Sequence, residues 1–371
     1  MIPLLTILLL FTGYSILIIY YLLAWRNIPV FIPGTKKFQR TISVIIPARN
    51  EEKNIGFLLE ALQNQTYPRE LFEVIVVDDN SSDSTASIVG QFFSVKLVQL
   101  KEENINSYKK KAIETGIEAA SGDWMLTTDA DCIPSENWLE TIAAFKEEHQ
   151  SVFVAAPVVI SCNSSVLQIF QAMDFMVLQV ITGAAVYNRK LSMCNGANIG
   201  YERKVFFEAG GFAGIDNIAS GDDMLLMHKI WQQYPAGVHY IKSKEAIVST
   251  QPQKTWKDFF NQRIRWASKA RKYEDKRILP VLLLVYFFNL SFLALTIAGF
   301  FHYQYWIYLA SLWVAKTLAE LPLFSSAAIF FDKRWALRLF FFFQPFHIFY
   351  TIISGLFSQF GKYEWKGRRV N

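Results

Sequence analysis

Two aspartates separated by one residue, Asp129 and Asp131, follow an apolar stretch that reads Trp-Met-Leu-Thr-Thr. Two carboxylates at this spacing after a buried strand can face one divalent cation. Mg²⁺ or Mn²⁺ needs few protein oxygens when the phosphates of a substrate supply the others. A solvated turn is the alternative interpretation. The apolar Ile133 and Pro134 that follow favour the metal site.

Polar residues also follow two earlier apolar stretches, in the motifs Pro47-Ala48-Arg49-Asn50-Glu51 and Asp78-Asp79-Asn80-Ser81-Ser82-Asp83. A carboxylate at the end of a strand can accept a hydrogen bond from a nucleobase N–H or a ribose hydroxyl. The alternative is a turn that caps the next helix, and Ser82 or Asp83 is expected to do that. Asp79 is therefore a candidate nucleotide ligand.

A further acidic pair, Asp222-Asp223, follows Gly221 at the start of a helical pattern. Acidic residues in that position are common N-terminal caps. A carboxylate held there can instead remove the proton from an acceptor hydroxyl, which is general-base catalysis. The residue types alone leave both roles open for Asp223.

The last chemical motif is Gln262-x-x-Arg265-Trp266, within a basic aromatic stretch. Its pattern is typical of an amphipathic helix at a membrane interface, with Phe259 and Phe260 in the headgroup zone. The same helix can also have a functional role, and the two interpretations are compatible. Arg265 can neutralise a leaving diphosphate while Trp266 packs beside an acceptor.

The elements that position these residues alternate between strand and helix. Strands are predicted over Thr41–Ala48, Glu73–Val77, Val95–Leu100 and Trp124–Thr128, with helices between them. Such alternation predicts a mainly parallel sheet covered on both faces, and ligands of such sheets bind at the carboxyl ends of the strands. The candidate residues Asp79, Asp129 and Asp131 fall at those ends.

Four apolar runs outside this region are each long enough to span a bilayer core, which needs roughly 20 residues; they are Ile2–Trp25, Ile278–Phe301, Trp306–Phe331 and Leu337–Phe357. The 371-residue chain is therefore expected to be an integral protein of a bacterial-type inner (cytoplasmic) membrane. Basic residues after the first run place the middle region in the cytoplasm. If all three later runs were full spans, the basic end of the chain would lie outside the cell, against the same rule. Pro322 and Pro345 interrupt two of these runs, so the number of full spans stays open.

The net charge of +5 comes with basic residues that flank the apolar runs. This placement fits attraction to anionic membrane lipids and argues against a nucleic-acid partner. The three cysteines have no metal-binding spacing, which predicts a reduced domain without a structural disulfide or zinc. Lys316 and Glu320 lie one helical turn apart in an apolar run and are expected to form a neutralising structural pair.

Taken in order, the motifs Pro-Ala-Arg-Asn-Glu-Glu, Val-Asp-Asp-Asn-Ser-Ser-Asp, Asp-Ala-Asp, Gly-Asp-Asp and Gln-x-x-Arg-Trp resemble the membrane-bound branch of the inverting glycosyltransferase family 2. The resemblance covers about residues 40–270. It implies an α/β fold of the GT-A type, with a Rossmann-like, mainly parallel sheet and terminal transmembrane helices. It also implies a UDP-sugar donor and Mg²⁺ or Mn²⁺ as the cofactor.

The same resemblance implies a role for each candidate residue. Asp79 would contact the uracil or ribose, Asp131 with Asp129 would bind the metal and diphosphate, and Asp223 would be the general base. The diphosphate would be held, and the acceptor covered, by Gln262, Arg265 and Trp266. The other expected nucleotide-sugar ligands are Pro47, Arg49, Glu51 and Lys109, with Lys110 as the alternative register of the lysine. Asp222 departs from the family, because relatives usually carry Glu there.

The basic end Tyr363–Arg369 resembles the ending of ceramide glucosyltransferase-like and carotenoid glycosyltransferase-like members. It implies one transfer of sugar to a lipid or other membrane-associated acceptor. The alternative is a processive polysaccharide synthase of the poly-N-acetylglucosamine or hyaluronan type, which generally has more membrane helices.

The sequence thus predicts five segments. They are an N-terminal transmembrane anchor (1–26), a GT-A catalytic domain (40–252), an interfacial helix with the Gln-x-x-Arg-Trp motif (253–275), C-terminal membrane helices (277–360) and a basic cytoplasmic tail (361–371).

Overall fold

The computed structural model describes residues 4–34, 40–102, 107–163, 165–190, 193–216, 218, 221–268 and 278–358, and the backbone of 363–365 and 368–370. The chain divides into two compact units. We call residues 28–161, 185–251 and 365–371 the sheet unit, and residues 1–27, 162–184 and 252–364 the helical unit. Segment 162–184, which the sequence placed within the catalytic domain, thus groups with the terminal helices. The side chains of the expected tail 361–371 lie outside the described residues.

The strands and helices follow one another in the order that the sequence pattern predicts for the middle of the chain. The strands are β1 Ile42–Ala48, β2 Phe72–Asp78, β3 Val95–Gln99, β4 Trp124–Thr127, β5 Cys132–Pro134, β6 Phe153–Ala155, β7 Val158–Ile160, β8 Ile199–Glu202, β9 Val238–Tyr240, β10 Val248–Thr250, β11 Tyr363–Trp365 and β12 Arg368–Val370. The helices are α1 Leu4–Asn27, α2 Ile55–Gln63, α3 Thr85–Val89, α4 Tyr108–Glu118, α5 Trp138–His149, α6 Val166–Tyr187, α7 Arg203–Glu208, α8 Met224–Gln233, α9 Trp256–Ser268, α10 Ile278–Gly299, α11 Gln304–Phe330 and α12 Phe340–Phe357.

A seven-stranded sheet in the order β3-β2-β1-β4-β8-β6-β9 forms the core of the sheet unit. Strands β1 to β4 are parallel, and β8 runs antiparallel to β4 and β6. The central strands are nearly continuous apolar runs because both faces of the sheet are covered. Ala48 pairs with Asp78 in the register of β1 and β2. The loops that follow β1, β2 and β4 therefore leave the same edge of the sheet.

A second sheet of three short strands, β5-β10-β7, begins directly after the Asp129–Asp131 pair. Cys132, Ile133 and Pro134 pair antiparallel with Thr250, Ser249 and Val248. The Cys132 side chain is fully buried. This pairing fixes the backbone immediately after Asp131.

The helical unit contains helices that are long and apolar enough to cross a membrane. By length and composition, five helices of the described chain qualify: α1, α6, α10, α11 and α12. In α6, 78% of the most apolar window is buried, against 17–33% in the other four, so α6 is the helix least available to lipid. Pro322 and Pro345, which the sequence suggested as interruptions, lie inside continuous helices. Long membrane-type helices tolerate the loss of the single backbone hydrogen bond that each proline removes.

A buried ionic cluster joins three helices of this unit. Lys316 Nζ lies 2.6 Å from Glu320 Oε1 on α11, and it also donates to Gln344 Oε1 of α12 at 2.5 Å. Gln344 Nε2 donates to Glu320 Oε2, and the Tyr14 hydroxyl of α1 donates to Glu320 Oε1. Every member is buried. The expected neutralising pair is present, and its hydrogen bonds hold α1, α11 and α12 together.

Candidate active site

Arg49 and Asp79 form the first corner of the site, where β1 and β2 end. Arg49 Nη1 lies 3.6 Å from Asp79 Oδ1 and donates to the Asp79 carbonyl at 2.6 Å and the Asn80 carbonyl at 3.3 Å. Asp79 is 4% exposed, and its backbone N–H donates to the Ala48 carbonyl. The guanidinium therefore holds the loop after β2 against the loop after β1, and it balances the charge of Asp79.

Side chains of the two loops lock them together beyond this corner. The Asn50 N–H donates to Ser81 Oγ, and the Ser82 N–H donates to Asn50 Oδ1. Asn50 and Asn80 both adopt left-handed backbone conformations, which asparagine tolerates better than most residues. Asp83 accepts a hydrogen bond from the Thr85 N–H at 3.0 Å, so Asp83 makes the capping contact in the turn before α3.

Lys109 connects the Asp129–Asp131 motif to the acidic pair before α8. Its Nζ lies 2.7 Å from Asp129 Oδ1 and 3.3 Å from Asp222 Oδ2. Burial alone would lower the pKa of Lys109, but the carboxylates of Asp129 and Asp222 raise it above its ordinary value. The ammonium is therefore charged at neutral pH. Of the two lysines that the sequence offered, the structure brings Lys109 to the carboxylates.

Lys110 has a different position, which the sequence did not reveal. It is 2% exposed, and its Nζ donates to the Ile215 carbonyl at 2.5 Å and the Ile218 carbonyl at 2.6 Å. Both carbonyls come from the chain shortly before Gly221. Adjacent helical residues differ by about 100° in direction, so neighbouring lysines on α4 reach different partners. Lys110 thus holds the backbone at Ile215 and Ile218, a few residues before Asp222 and Asp223.

Asp223 lies at the start of α8, with both of its oxygens near backbone donors. Oδ1 accepts from the Met224 N–H at 2.7 Å and Oδ2 from the Gly196 N–H at 3.0 Å. The preceding Gly221 has φ +82°, a conformation that glycine adopts without strain. The carboxylate is partly exposed and carries the cap-like contact that the sequence offered as the alternative. Its role as a base stays a prediction.

Gly196 lies against the acidic pair, where a side chain would be tightly packed. A Cβ there would be 3.0 Å from Asp222 Oδ2, and 3.4 Å from both Asp223 Cβ and Lys109 Nζ. The nearby Asn198 is used structurally: it donates to the Pro157 and Ala246 carbonyls and accepts from Trp138 Nε1. The small loop therefore brings a backbone N–H, rather than a side chain, to the candidate base.

Asp129 and Asp131 are both partly exposed, as a ligand site requires. Among the residues that the structure describes, no group of three or more His, Cys, Asp or Glu side chains is arranged to hold a metal ion. Two hard carboxylate oxygens still suit Mg²⁺ or Mn²⁺ when a substrate diphosphate completes the coordination. The residues fit a cation shared with substrate, and they do not form a cage made by the protein alone.

The remaining candidates divide between the units. Pro47 lies in β1 and Glu51 in the loop after it, where Glu51 Oε2 accepts from Asn54 Nδ2 at 2.7 Å. Gln262, Arg265 and Trp266 lie on α9 in the helical unit. The Trp266 ring is 6.0 Å from that of Phe175 on α6. The sheet unit thus brings together Arg49 with Asp79, and Lys109 with Asp129, Asp222 and Asp223.

Comparison with known proteins identifies the family. The model of Glycosyl transferase family 2 matches residues 43–209. The probable glycosyltransferase YdaM of Bacillus subtilis is 30% identical over 290 residues, which cover 74% of this chain and 67% of the relative. The dolichyl N-acetyl-alpha-D-glucosaminyl phosphate 3-beta-D-2,3-diacetamido-2,3-dideoxy-beta-D-glucuronosyltransferase of Methanococcus voltae is 31% identical over 174 residues, 45% of this chain and 49% of the relative. The mannosyltransferase PcManGT of Pyrobaculum calidifontis, solved with GDP-Man and Mn²⁺, superposes with a TM-score of 0.58 at 21% identity, covering 95% of this chain and 98% of that one.

The chain belongs to glycosyltransferase family 2 and is a glycosyltransferase. The predicted GT-A-type α/β fold is confirmed by the structural match. The finer resemblance to ceramide glucosyltransferase-like and carotenoid glycosyltransferase-like members stays a prediction.

Proposed function

We propose that this protein is a membrane-embedded inverting glycosyltransferase that moves one sugar from a UDP-sugar to a lipid-like acceptor at the cytoplasmic face. The observation that carries the proposal is the polar cluster at the carboxyl edge of the sheet, where Lys109 joins Asp129 to Asp222 beside Asp223. Such a cluster offers a cation, metal-binding oxygens and a base within one small volume. Those are the groups that transfer from a nucleotide diphosphate sugar requires.

In the proposed mechanism, Asp79 and Arg49 contact the nucleoside, and Lys109 and Arg265 neutralise the diphosphate. The acceptor hydroxyl attacks the anomeric carbon as the bond from that carbon to the diphosphate oxygen breaks. The hydroxyl proton passes to the Asp223 carboxylate, and UDP leaves with the bonding electron pair. Attack from the side opposite the leaving group inverts the configuration at the anomeric carbon.

Asp129 and Asp131 would hold Mg²⁺ or Mn²⁺. The cation would supply charge neutralisation of the diphosphate as it leaves. The presence of Mn²⁺ in the Pyrobaculum calidifontis structure supports this assignment. Lys109, already paired with Asp129, would supply a second positive charge on the same edge.

The lipid-like acceptor is supported by two independent observations. The name of the Methanococcus voltae relative describes an acceptor linked to dolichyl phosphate. Five helices of the described chain are long and apolar enough to cross a membrane, and in four of them most of the apolar window is not buried. An acceptor that lies in the membrane suits an enzyme whose catalytic unit is continuous in sequence with such helices.

The direct test uses the full chain in lipid nanodiscs with Mn²⁺, native lipid extract, several UDP-sugars and GDP-mannose as the comparison donor. Mass spectrometry of the lipid fraction identifies the product. We expect one sugar per lipid from a UDP-sugar, and a rate of product formation lower by about 10²–10⁴-fold with Asp223→Asn. Transfer from GDP-mannose alone would contradict the UDP assignment, and a ladder of sugars would identify a processive synthase instead.

The membrane side is tested separately. A single cysteine placed beside Arg369 should resist a membrane-impermeant thiol reagent added to intact cells, since the basic end is expected in the cytoplasm. A cysteine between α10 and α11, at Tyr303, should react. Labelling of the cysteine near Arg369 from outside would contradict the shared cytoplasmic placement of the catalytic unit and the tail.

A further inference from the structure

Arg263 is buried, unlike the motif residues beside it on α9. Its side chain is 3% exposed, whereas Gln262, Arg265 and Trp266 are all partly exposed. It occupies the first unspecified position of the Gln-x-x-Arg-Trp motif. A buried cation needs a partner, because removing its hydration is costly.

That partner is a carboxylate on another helix. Arg263 Nη2 lies 2.7 Å from Asp174 Oδ2 on α6, and the Asp174 side chain is also 3% exposed. The Tyr350 hydroxyl of α12 donates to the other oxygen, Asp174 Oδ1, at 2.6 Å. Both oxygens of Asp174 are therefore occupied, and one carboxylate links α6, α9 and α12.

Aromatic rings surround the rest of the guanidinium. The Arg263 Cζ lies 4.4 Å from the ring centroid of Trp266, 4.9 Å from that of Phe259 and 5.8 Å from that of Tyr350. Its Nε and Nη1 have no hydrogen-bond partner among the described residues, and the ring faces take that place. The guanidinium is thus held in both position and plane, which a lysine could not reproduce.

We propose that Arg263, with Asp174 and Tyr350, is a positioning group that fixes the rotation of α9 about its own axis. Residues 263 and 265 differ by about 200° around a helix, so anchoring Arg263 on one side directs Arg265 to the opposite side. Trp266 and Phe259 share the anchored side and contact the guanidinium. This inference rests on the proposed function for what Arg265 does, which is to neutralise the diphosphate.

The first test measures the orientation of α9 without any assay of activity. A spin label is placed at the exposed Asn261 of α9, in the full chain with its three cysteines replaced, in nanodiscs. Asp174→Asn and Arg263→Met should raise the mobility of the label, and Tyr350→Phe should raise it less. Lys257→Met, which removes an exposed cation from the same helix, is the matched control and should leave the spectrum unchanged. Unchanged mobility in both Asp174→Asn and Arg263→Met would overturn the inference.

The second test asks whether this orientation serves transfer. Misplacing a group by about 1 Å can cost about 10²-fold, so Arg263→Met should lower kcat by up to that factor while UDP affinity changes less. If Arg263 acts through Arg265, Arg263→Met added to Arg265→Ala should cause no further loss. Independent losses that multiply would overturn the inference, as would a normal kcat in Asp174→Asn and Arg263→Met.

The charge exchange Arg263→Asp with Asp174→Arg should recover part of the activity lost by either single variant. No recovery would count against the proposed pairing of Arg263 with Asp174. An unmodified chain that transfers no sugar would instead refute the proposed function. The spin-label result would still decide the role of Arg263 in that case.

Discussion

Asp223→Asn tests the general base with the smallest change of shape. The proposed role requires a carboxylate that can take a proton, which an amide cannot do. A positioned base contributes typically 10²–10⁴-fold to the rate. Its loss corresponds to about 2.7–5.5 kcal/mol in the activation free energy of transfer. We therefore expect turnover to fall by that factor while UDP affinity is retained, because the diphosphate is held by other residues.

The structure also predicts a separate cost in stability. Asp223 accepts backbone hydrogen bonds at both oxygens, from Met224 and from Gly196. An asparagine has one acceptor oxygen, so its NH₂ group must face one of these N–H donors. An unsatisfied donor costs about 1–3 kcal/mol in the free energy of unfolding. This loss lowers the thermal midpoint but does not slow those molecules that remain folded.

The assay therefore measures three quantities on Asp223→Asn in nanodiscs: initial rate, UDP affinity by calorimetry, and thermal unfolding. Asp216→Asn is the matched control, because Asp216 is exposed in the loop just before the site. A destabilised variant with nearly normal turnover would refute the base assignment. Asp223 would then be a residue that organises the Gly196 loop, and Asp222 would become the candidate base.

Three further predictions concern charged residues of the site and of the buried cluster. Asp131→Asn should abolish transfer and weaken nucleotide binding in Mn²⁺, because an amide does not replace a charged metal ligand; full activity of this variant in EDTA would refute the metal site. Lys109→Met should reduce turnover by a factor that stays constant between about pH 6 and 9. The raised pKa keeps Lys109 charged across that range. The stabilisation from its ion pairs is complete below the unfolded-state pKa of about 10.4 and is lost only as the pH rises through the higher folded-state pKa. A loss that varies with pH across that range would refute this. Lys316→Met should destabilise the chain by about 3–5 kcal/mol in thermal or denaturant unfolding, since it leaves Glu320 unpaired, and Lys316→Met with Glu320→Leu should recover most of it. A double variant no more stable than the single one would contradict this explanation.

The fold was predictable because the central strands are short, continuous apolar runs between turn residues. Ile42–Ala48 and Phe72–Asp78 begin and end within a residue or two of the predicted strands. Parallel pairing follows from the helices between them, and it places the strand-end residues at one edge. The shared location of Asp79 and Asp129 near that edge could therefore be inferred from the sequence alone.

Other features depended on contacts between residues far apart in the chain. The choice between Lys109 and Lys110 depends on how α4 is rotated against the sheet, and two adjacent lysines look equivalent in a sequence. The contact of Gly196 with Asp223 spans 27 residues, and no local pattern encodes it. Asp174 and Arg263 are separated by 89 residues, and each lies in a stretch whose apolar or amphipathic pattern gave no sign of the pairing.

The departure at Asp222 leads to a final prediction. Relatives usually carry Glu at this position, as the family resemblance implies, so Asp222→Glu would restore the common residue. In this chain Asp222 is 8% exposed and lies 3.3 Å from Lys109 Nζ, and its Oδ2 would be only 3.0 Å from a Cβ on Gly196.

An added methylene must therefore displace Lys109 or the Gly196 loop, and overpacking of this kind typically costs about 1–3 kcal/mol. We expect Asp222→Glu to lower both the thermal midpoint and turnover, with Asp216→Glu as the exposed control. A variant as stable and active as the unmodified chain would refute the idea that Lys109 and Gly196 fit the shorter side chain. If the prediction holds, the packing of Lys109 and Gly196 around position 222 is matched to the shorter acidic side chain.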